Sequence, residues 1–172
     1  NGTATYEAVD GIHNAKVSEL SSNEYHVELT MRDILSYKLD DDSLLIDTGS
    51  PHYVKKVDDL ENLDIINKGA AIRYDKSISD DGVNVDFLLN KDGVIRIRTY
   101  ERGVENETLA CGTGVTASAI AASLWFGGDN IDIYTQIAKL NVRFQKENNT
   151  FRNVVLSGPA THVFDGIFIF AK

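Results

Sequence analysis

The stretch that decides the fold is CGTGVTASAIAASLWFGG, residues 111–128. After Cys111 and the glycine-flanked Thr113 it is rich in Ala and other small or apolar residues, carries no charge, and stops at Gly127–Gly128. This reads as a helix starting at the 112–114 turn and ending at the glycine pair. A helix with no polar face belongs inside a protein, so it should be buried all round.

Most of the remaining chain reads as strand. In YHVELTMRDI (25–34) Tyr25, Val27, Leu29 and Met31 alternate with His26, Glu28, Thr30 and Arg32. SLLIDT (43–48), VNVDFLLN (83–90), VIRIRTY (94–100), IDIYT (131–135), LNVRFQ (140–145), NVVLSG (153–158) and HVFDGIFIF (162–170) repeat the theme, parted by turn signals such as KDG (91–93) and KENN (146–149). DDLENLDIINKG (58–69) spaces Leu60, Leu63 and Ile66 at helical intervals and predicts a second helix capped by Gly69. GPA (158–160) reads as a turn between strands, and DDD (40–42) as a solvated one. The expected fold is α+β, mostly antiparallel strands wrapped around one central buried helix. No linker or second composition regime interrupts residues 1–172, which predicts a single domain.

With 172 residues, 42% of them hydrophobic and 25% charged, the composition is that of a globular protein with a sizeable core. A formal net charge of −9 argues against a nucleic-acid partner, which would require clustered Lys and Arg. No apolar run approaches the roughly 18 residues of a membrane span, and no signal peptide is visible, so the default expectation is a cytoplasmic protein with no membrane partner. One cysteine permits no internal disulfide, in keeping with a reducing compartment. The chain opens NGTATYEAVDG without an initiator, its sole methionine being Met31, and this reads as a processed, truncated or separately numbered piece.

A lone cysteine in apolar surroundings is ordinarily a buried small hydrophobe. Here Gly112-Thr113-Gly114 frees the backbone where a helix begins, leaving the first N–H groups unpaired. These groups and the helix dipole favour negative charge by about 0.3–1 kcal/mol, more when partly buried. A thiol at that point is favoured as thiolate and becomes a better base or nucleophile; the same N–H groups could hold a carboxylate.

YERGVENETLACGTGVTA (100–117) resembles the second-half signature of the diaminopimelate epimerases, which are pyridoxal-independent amino-acid epimerases. DTGSPHYV (47–54), GVNVDF (82–87) and LSGPATHVFDG (156–166) resemble further family segments in the same order. Proline racemases of related fold share a Cys-Gly-Thr-Gly turn without YERG and ETLA ahead of it. The resemblance implies that two cysteines of matched basicity act on opposite faces of the substrate α-carbon, with helix N-termini facing its carboxylate. Cys111 would be one of those bases. Glu101 would contact the reacting amino group and take the proton from Cys111. Gly112 and Thr113 would hold the α-carboxylate, and Arg102, assisted by Asn84, the distal end of the substrate. Ser50 stands where many relatives have Asn, so a substrate hydrogen bond there would be shortened or replaced by water. By the resemblance His52 would orient the other cysteine; otherwise it is a loop or satisfied core histidine. Metal and organic cofactors are not implied, and His13, His26 and His162, which lack metal-like spacing, read as structural or exposed.

The resemblance leaves a gap. The family's first half carries its own Cys-Gly-Asn-Gly helix start, and nothing here matches it. ATYEAVDGIHNAKV resembles the strands that follow that start, so residues 1–35 would be the tail of a missing N-terminal half, the expected partner, and pairing as a homodimer is carried over from the family. Relatives commonly have Gly-Gly where Ile137-Ala138 stand; if that turn needs positive φ, Ile137 suits it poorly. The expected function is interconversion of LL- and meso-diaminopimelate, in lysine and cell-wall synthesis. The alternatives are a non-catalytic half domain that binds a carboxylate or dimerises, and a related epimerase for another amino acid.

Overall fold

The computed structural model describes residues 2–8 and 10–169. Its strands are β1 (Gly2–Ala8), β2 (Gly11–Glu19), β3 (Glu24–Thr30), β4 (Tyr37–Leu39), β5 (Ser43–Asp47), β6 (Pro51–Lys56), β7 (Asn84–Lys91), β8 (Val94–Glu101), β9 (Asn106–Thr108), β10 (Asn130–Tyr134), β11 (Lys139–Glu147) and β12 (Thr150–Thr161). Helix α1 (Ile65–Arg73) lies between β6 and β7, and α2 (Gly112–Phe126) between β9 and β10. All strands join one sheet in the order β1-β2-β3-β12-β11-β10-β8-β7-β6-β5-β4, with β9 paired to β8. Only β6–β7 and β8–β10 pair in parallel. Parallel neighbours need a crossover, and each helix lies in one.

The two helices occupy opposite faces. On one, Ile120, Val115 and the alanines of α2 pack with Leu44, Ile46, Val54, Leu88, Ile97, Ile133 and Phe151. On the other, Ile65 of α1 packs with Leu60, Val83, Val85, Phe87 and Tyr100. β7 therefore has both faces covered, which is why VNVDFLLN reads as a nearly continuous apolar run. Within α2 every residue from Gly114 to Ser123 is buried, and Gly127 (φ 90°) and Gly128 (φ 92°) follow its end, as the lack of a polar face predicted. Truncating the fully buried Ile120 to Ala should cost about 2–5 kcal/mol.

Three expectations need correction. Helix α1 does not span 58–69: Asp64 is its N-cap, accepting from Asn67 N, and Leu60 and Leu63 precede it. Gly69 is no cap but a mid-helix residue, where an added Cβ would stand 2.5 Å from Tyr100 Cβ and Cγ. GPA (158–160) forms no turn; it lies within β12, Pro159 opposite His26, and Gly158 leaves room for the Leu140 side chain. HVFDGIFIF forms no strand either: residues 162–169 are irregular and exposed, and Phe170 lies outside the described residues. At the KDG turn Asp92 (φ 55°) and Gly93 (φ 82°) make the two-residue loop joining β7 to β8. Ile137 is exposed and is not among the residues with positive φ, so its turn asks for no glycine.

Candidate functional site

Cys111 is the N-cap of α2, extended at φ −128° and ψ 117°, and its side chain makes no capping bond. The first helical bond runs from Val115 N to Cys111 O at 2.8 Å. The thiol is half-buried and free, and Sγ lies 3.3 Å from Thr113 Oγ1. Thr113 is held from behind, because Thr48 Oγ1 donates to its carbonyl at 2.8 Å.

Beneath this helix start the sheet turns polar. Residues two apart on a strand share a face, so Ser50 with His52, and Asn84 with Asp86, point to the α2 side. His52 pairs with Asn84 across β6–β7, and Asp86 with Thr99 across β7–β8. His52 and Asp86 are wholly buried, with Nδ1 and Oδ2 2.7 Å apart. Thr99 Oγ1 donates to Asp86 Oδ1 at 2.7 Å. The other imidazole nitrogen, Nε2, faces Thr113 Oγ1 at 2.9 Å, Ser50 Oγ at 3.1 Å and Asn84 Nδ2 at 3.3 Å. Arg102 N donates to Asn84 Oδ1 at 2.8 Å, which fixes the amide so that its NH₂ turns to Ser50 and His52. Burial pulls the His52 proton affinity down, but the charge and hydrogen bond of Asp86, with a smaller contribution from Cys111, more than reverse this and raise its pKa to about 9. Gly114 is required for this closeness, since an added Cβ would strike Asp86 Oδ1 and stand 3.2 Å from His52 Cε1.

Glu101 and Arg102 sit half-buried where β8 ends. The Glu101 carboxylate has no hydrogen-bond or ion-pair partner among the described residues, and no bond links it to Cys111. Arg102 Nη1 donates to Gly82 O at 3.1 Å, leaving most of its guanidinium fork unoccupied. The structure thus brings Ser50, His52, Asn84, Thr113 and Cys111 into one hydrogen-bonded group, with Arg102 tied to it through its backbone; Gly112 stands exposed at the helix start, and Glu101 stays outside the group. Asp86, Thr99 and Thr48 escaped the reading of the sequence. Asp86 had left a signal, a carboxylate in the middle of a strand otherwise too apolar to hold one unpaired.

Of the remaining histidines, His13 is buried against Asp10, while His162 is exposed. Among the described residues no three His, Cys, Asp or Glu side chains are grouped to hold a metal, and no helix is long and apolar enough to cross a membrane.

Comparison with known proteins gives a consistent answer. A solved Bacillus anthracis phenazine biosynthesis protein of the PhzF family superposes with a TM-score of 0.67 over 96% of this chain and 69% of its own, at 11% identity, a likeness of fold alone. The diaminopimelate epimerase of Flavobacterium psychrophilum is 43% identical over 164 residues, 94% of this chain and 62% of that protein. That of a Hydrogenobaculum species is 47% identical over 127 residues, covering 71% of this chain and 44% of its own length. The chain thus spans less than two thirds of the length of either curated relative. The diaminopimelate epimerase family model matches residues 44–163. With the thiol, the helix start and the polar floor all inside that match, the chain belongs to the diaminopimelate epimerase family.

Proposed function

We propose that this chain is the second-cysteine half of a cofactor-independent epimerase that interconverts LL- and meso-diaminopimelate, and that Cys111 is one of its two bases. The observation that carries this reading is the half-buried, uncapped thiol at the start of a buried helix, set over Ser50, His52 and Asn84. A weakly acidic α-proton leaves one face and a proton returns to the other, so two groups of matched basicity are needed. Cys111 serves one face. The other falls to a cysteine of an N-terminal half outside these residues, beside which His52 would stand.

In this reading residues 1–172 act as one domain, residues 1–35 continue the missing half, and the curled sheet encloses α2. The N–H groups of Gly112 and Thr113 receive the α-carboxylate, whose charge grows as the proton leaves. Glu101, whose carboxylate has no partner among the described residues, takes the amino group and relays the Cys111 proton. Arg102 and Asn84 grip the distal carboxylate, with Ser50 filling part of the polar wall. The reading carries with it a cytoplasmic place in lysine synthesis, to which the free thiol is suited, and pairing of two copies as in the family.

The test is proton NMR of LL-diaminopimelate in D₂O with the chain alone and then joined to an N-terminal half. Loss of the α-proton signal and growth of the meso isomer only with both halves is the expected result. Full epimerisation by the chain alone would overturn the two-half reading. Cys111→Ser should keep the fold and abolish inversion; a variant with wild-type turnover would remove Cys111 from the chemistry.

A further inference from the structure

Away from the polar floor, a second cluster of charged and hydroxyl groups joins the end of α1 to the loop and the turn that hold Arg102. Arg73 is the last residue of α1, and its side chain is only 14% exposed. Its Nε donates to Glu105 Oε1 at 3.2 Å, with Nη2 at the same distance from that oxygen, and its Nη1 donates to Asp81 O at 3.2 Å. Glu105 also accepts from Gly103 N at 3.1 Å and, on Oε2, from the Tyr100 hydroxyl at 3.2 Å. The Tyr74 hydroxyl bonds to the same carboxylate. These donors, Gly103 N foremost, hold the Glu105 carboxyl below the usual carboxylate range. A partly exposed ion pair contributes little to stability by itself, so the place of this one matters more than its strength.

The turn of residues 102–105 joins β8 to β9, with Glu101 paired to Asn106 below it and Glu105 N donating to Glu101 O at 2.8 Å. Glu105 stands at φ 57° and Gly103 at φ 93°. Left-handed backbone at a residue other than glycine persists only where its surroundings enforce it. On the other side, the loop of residues 79–83 leads into β7. Gly82 (φ 73°) comes so close to Arg73 that an added Cβ would strike both the guanidinium and the carbonyl of that residue. Gly82 O receives Arg102 Nη1 at 3.1 Å, and Asn84, two residues on, receives Arg102 N. Arg73 therefore touches both supports of Arg102, with Asp81 and Gly82 in the loop and Glu105 in the turn. The contacts close into a ring through Arg102, Gly82, Arg73 and Glu105. Glu105 pairs with Arg73 and not with Arg102, whose guanidinium meets no carboxylate among the described residues.

We propose that Arg73 and Glu105 are positioning residues that hold the 102–105 turn against the 79–83 loop and so aim the Arg102 guanidinium. This deepens the proposed function and rests on it, since the distal carboxylate that Arg102 grips is assigned there. A guanidinium gives two parallel bonds to a carboxylate only when its plane is correctly set. Arg102 has one side-chain bond of its own, so that plane follows from where the turn and the loop lie. A misplacement of about 1 Å in such a contact can cost an enzyme about a hundredfold. Arg73 and Glu105 act through Arg102 and not on the substrate themselves, and they favour a substrate whose far end is anionic.

The test begins on the chain itself, as hydrogen exchange at two backbone amides, and needs no substrate. Arg102 N–H, bonded to Asn84, reports on the turn; Phe151 N–H, bonded to Ile34 O at 2.9 Å, reports on the core. Glu105→Ala, at a partly exposed position, should speed exchange at Arg102 about tenfold and leave Phe151 within about twofold of wild type, the mark of a local opening. Glu105→Gln, which keeps an acceptor for Gly103, should stay closer to wild type. Equal acceleration at both amides, or none at Arg102, overturns the positioning role. If Glu105→Ala fails to fold, Arg73→Lys, with one ammonium in place of the fork, decides by the same criterion. In the chain joined to an N-terminal half, Glu105→Ala should raise KM for diaminopimelate about tenfold with kcat within about threefold, and should add nothing in an Arg102→Lys background. A KM effect that keeps its full size in that background overturns action through Arg102. Selective opening at Arg102 in a joined protein that exchanges no α-proton supports the positioning role and overturns the epimerase reading alone.

Discussion

Three histidine–aspartate pairs lie among the described residues; His162 with Asp165 is exposed, and the two more buried ones are built to different ends. His13 meets Asp10 at 3.0 Å across the β1–β2 turn, the side chains 8% and 17% exposed, and its other nitrogen donates to Thr30 O at 2.7 Å. Tyr6 stacks on the ring at 5.5 Å. Both nitrogens face acceptors, so the charged ring is clamped and nothing passes beyond it. His52 has a single acceptor behind it, Asp86, while its outward nitrogen faces hydroxyls that can accept and donate in turn. The first pair is a crosslink between β2, β3 and the turn from β1 to β2. The second turns its outward nitrogen to the hydroxyls of Ser50 and Thr113 at the start of α2. What separates them is the group on the second nitrogen, a carbonyl in one and a threonine hydroxyl beside a thiol in the other.

The comparison breaks most sharply at Asp86. Asp86→Ala leaves a buried imidazole with no counter-charge, and removing one partner of such a pair costs about 3–5 kcal/mol. His52 is raised in the folded chain to about 9 from 6.5. A raised pKa contributes stability that is fully present below the unfolded value and lost as pH rises through the folded one. The gap between wild type and Asp86→Ala in urea unfolding should therefore be widest below about pH 6.5 and shrink by about pH 9; a gap independent of pH would show that the loss is packing alone. Asp10→Ala should cost about 1 kcal/mol or less, since water reaches that pair.

Each pair also lies against a glycine, and the two glycines sharpen the contrast. Gly114→Ala drives a Cβ into Asp86 Oδ1, which Thr99 prevents from retreating. The expected net loss is about 1–3 kcal/mol, even against a gain of up to about 1 kcal/mol in helix propensity. At Gly49 (φ 118°) an added Cβ would stand 2.6 Å from Asp10 Oδ2, the far end of a side chain that can move. Gly49→Ala should cost about 1–2 kcal/mol, chiefly from the backbone. A double-mutant cycle with Asp10→Ala measures how much of that is the contact; melting curves showing Gly114→Ala more stable than Gly49→Ala would reverse the ranking.

How much of this was legible beforehand depends on range. Helix α2 and the Cys111 cap follow from local chemistry, an uncharged small-residue run bounded by glycines, and they stand where the pattern put them. Gly69 misled because a glycine at the end of a helical pattern and a glycine under an aromatic ring look alike until Tyr100 is brought over it by β8. HVFDGIFIF misled in the opposite way, since its alternation is that of a strand although residues 162–169 run irregular and exposed. The site divides likewise. Cys111, Thr113, Asn84, Ser50 and His52 were found through short motifs and converge, whereas Asp86 and Thr99 lie on separate strands and acquire meaning only from the register that sets them opposite each other. Glu101 was legible as a motif, but the fold gives its carboxylate no bond to Cys111, so the structure leaves it apart from the group that the other motif residues form.

The smallest expected effect is at the less deeply buried pair, His13 with Asp10. His13 is raised above its ordinary value, first by its bond to the Thr30 carbonyl and then by Asp10, while the His13 bond holds the Asp10 carboxyl below the usual carboxylate range. Stability from Asp10 is therefore lost as pH falls through its lowered value, and stability from His13 as pH rises through its raised one, leaving a window between them where the pair stabilises most. Asp10→Asn should lower stability inside that window by less than about 1 kcal/mol and have no effect at alkaline pH. A loss in Asp10→Asn that persisted unchanged at alkaline pH would mean that Asp10 holds its turn by shape and packing, not by the charge it shares with His13.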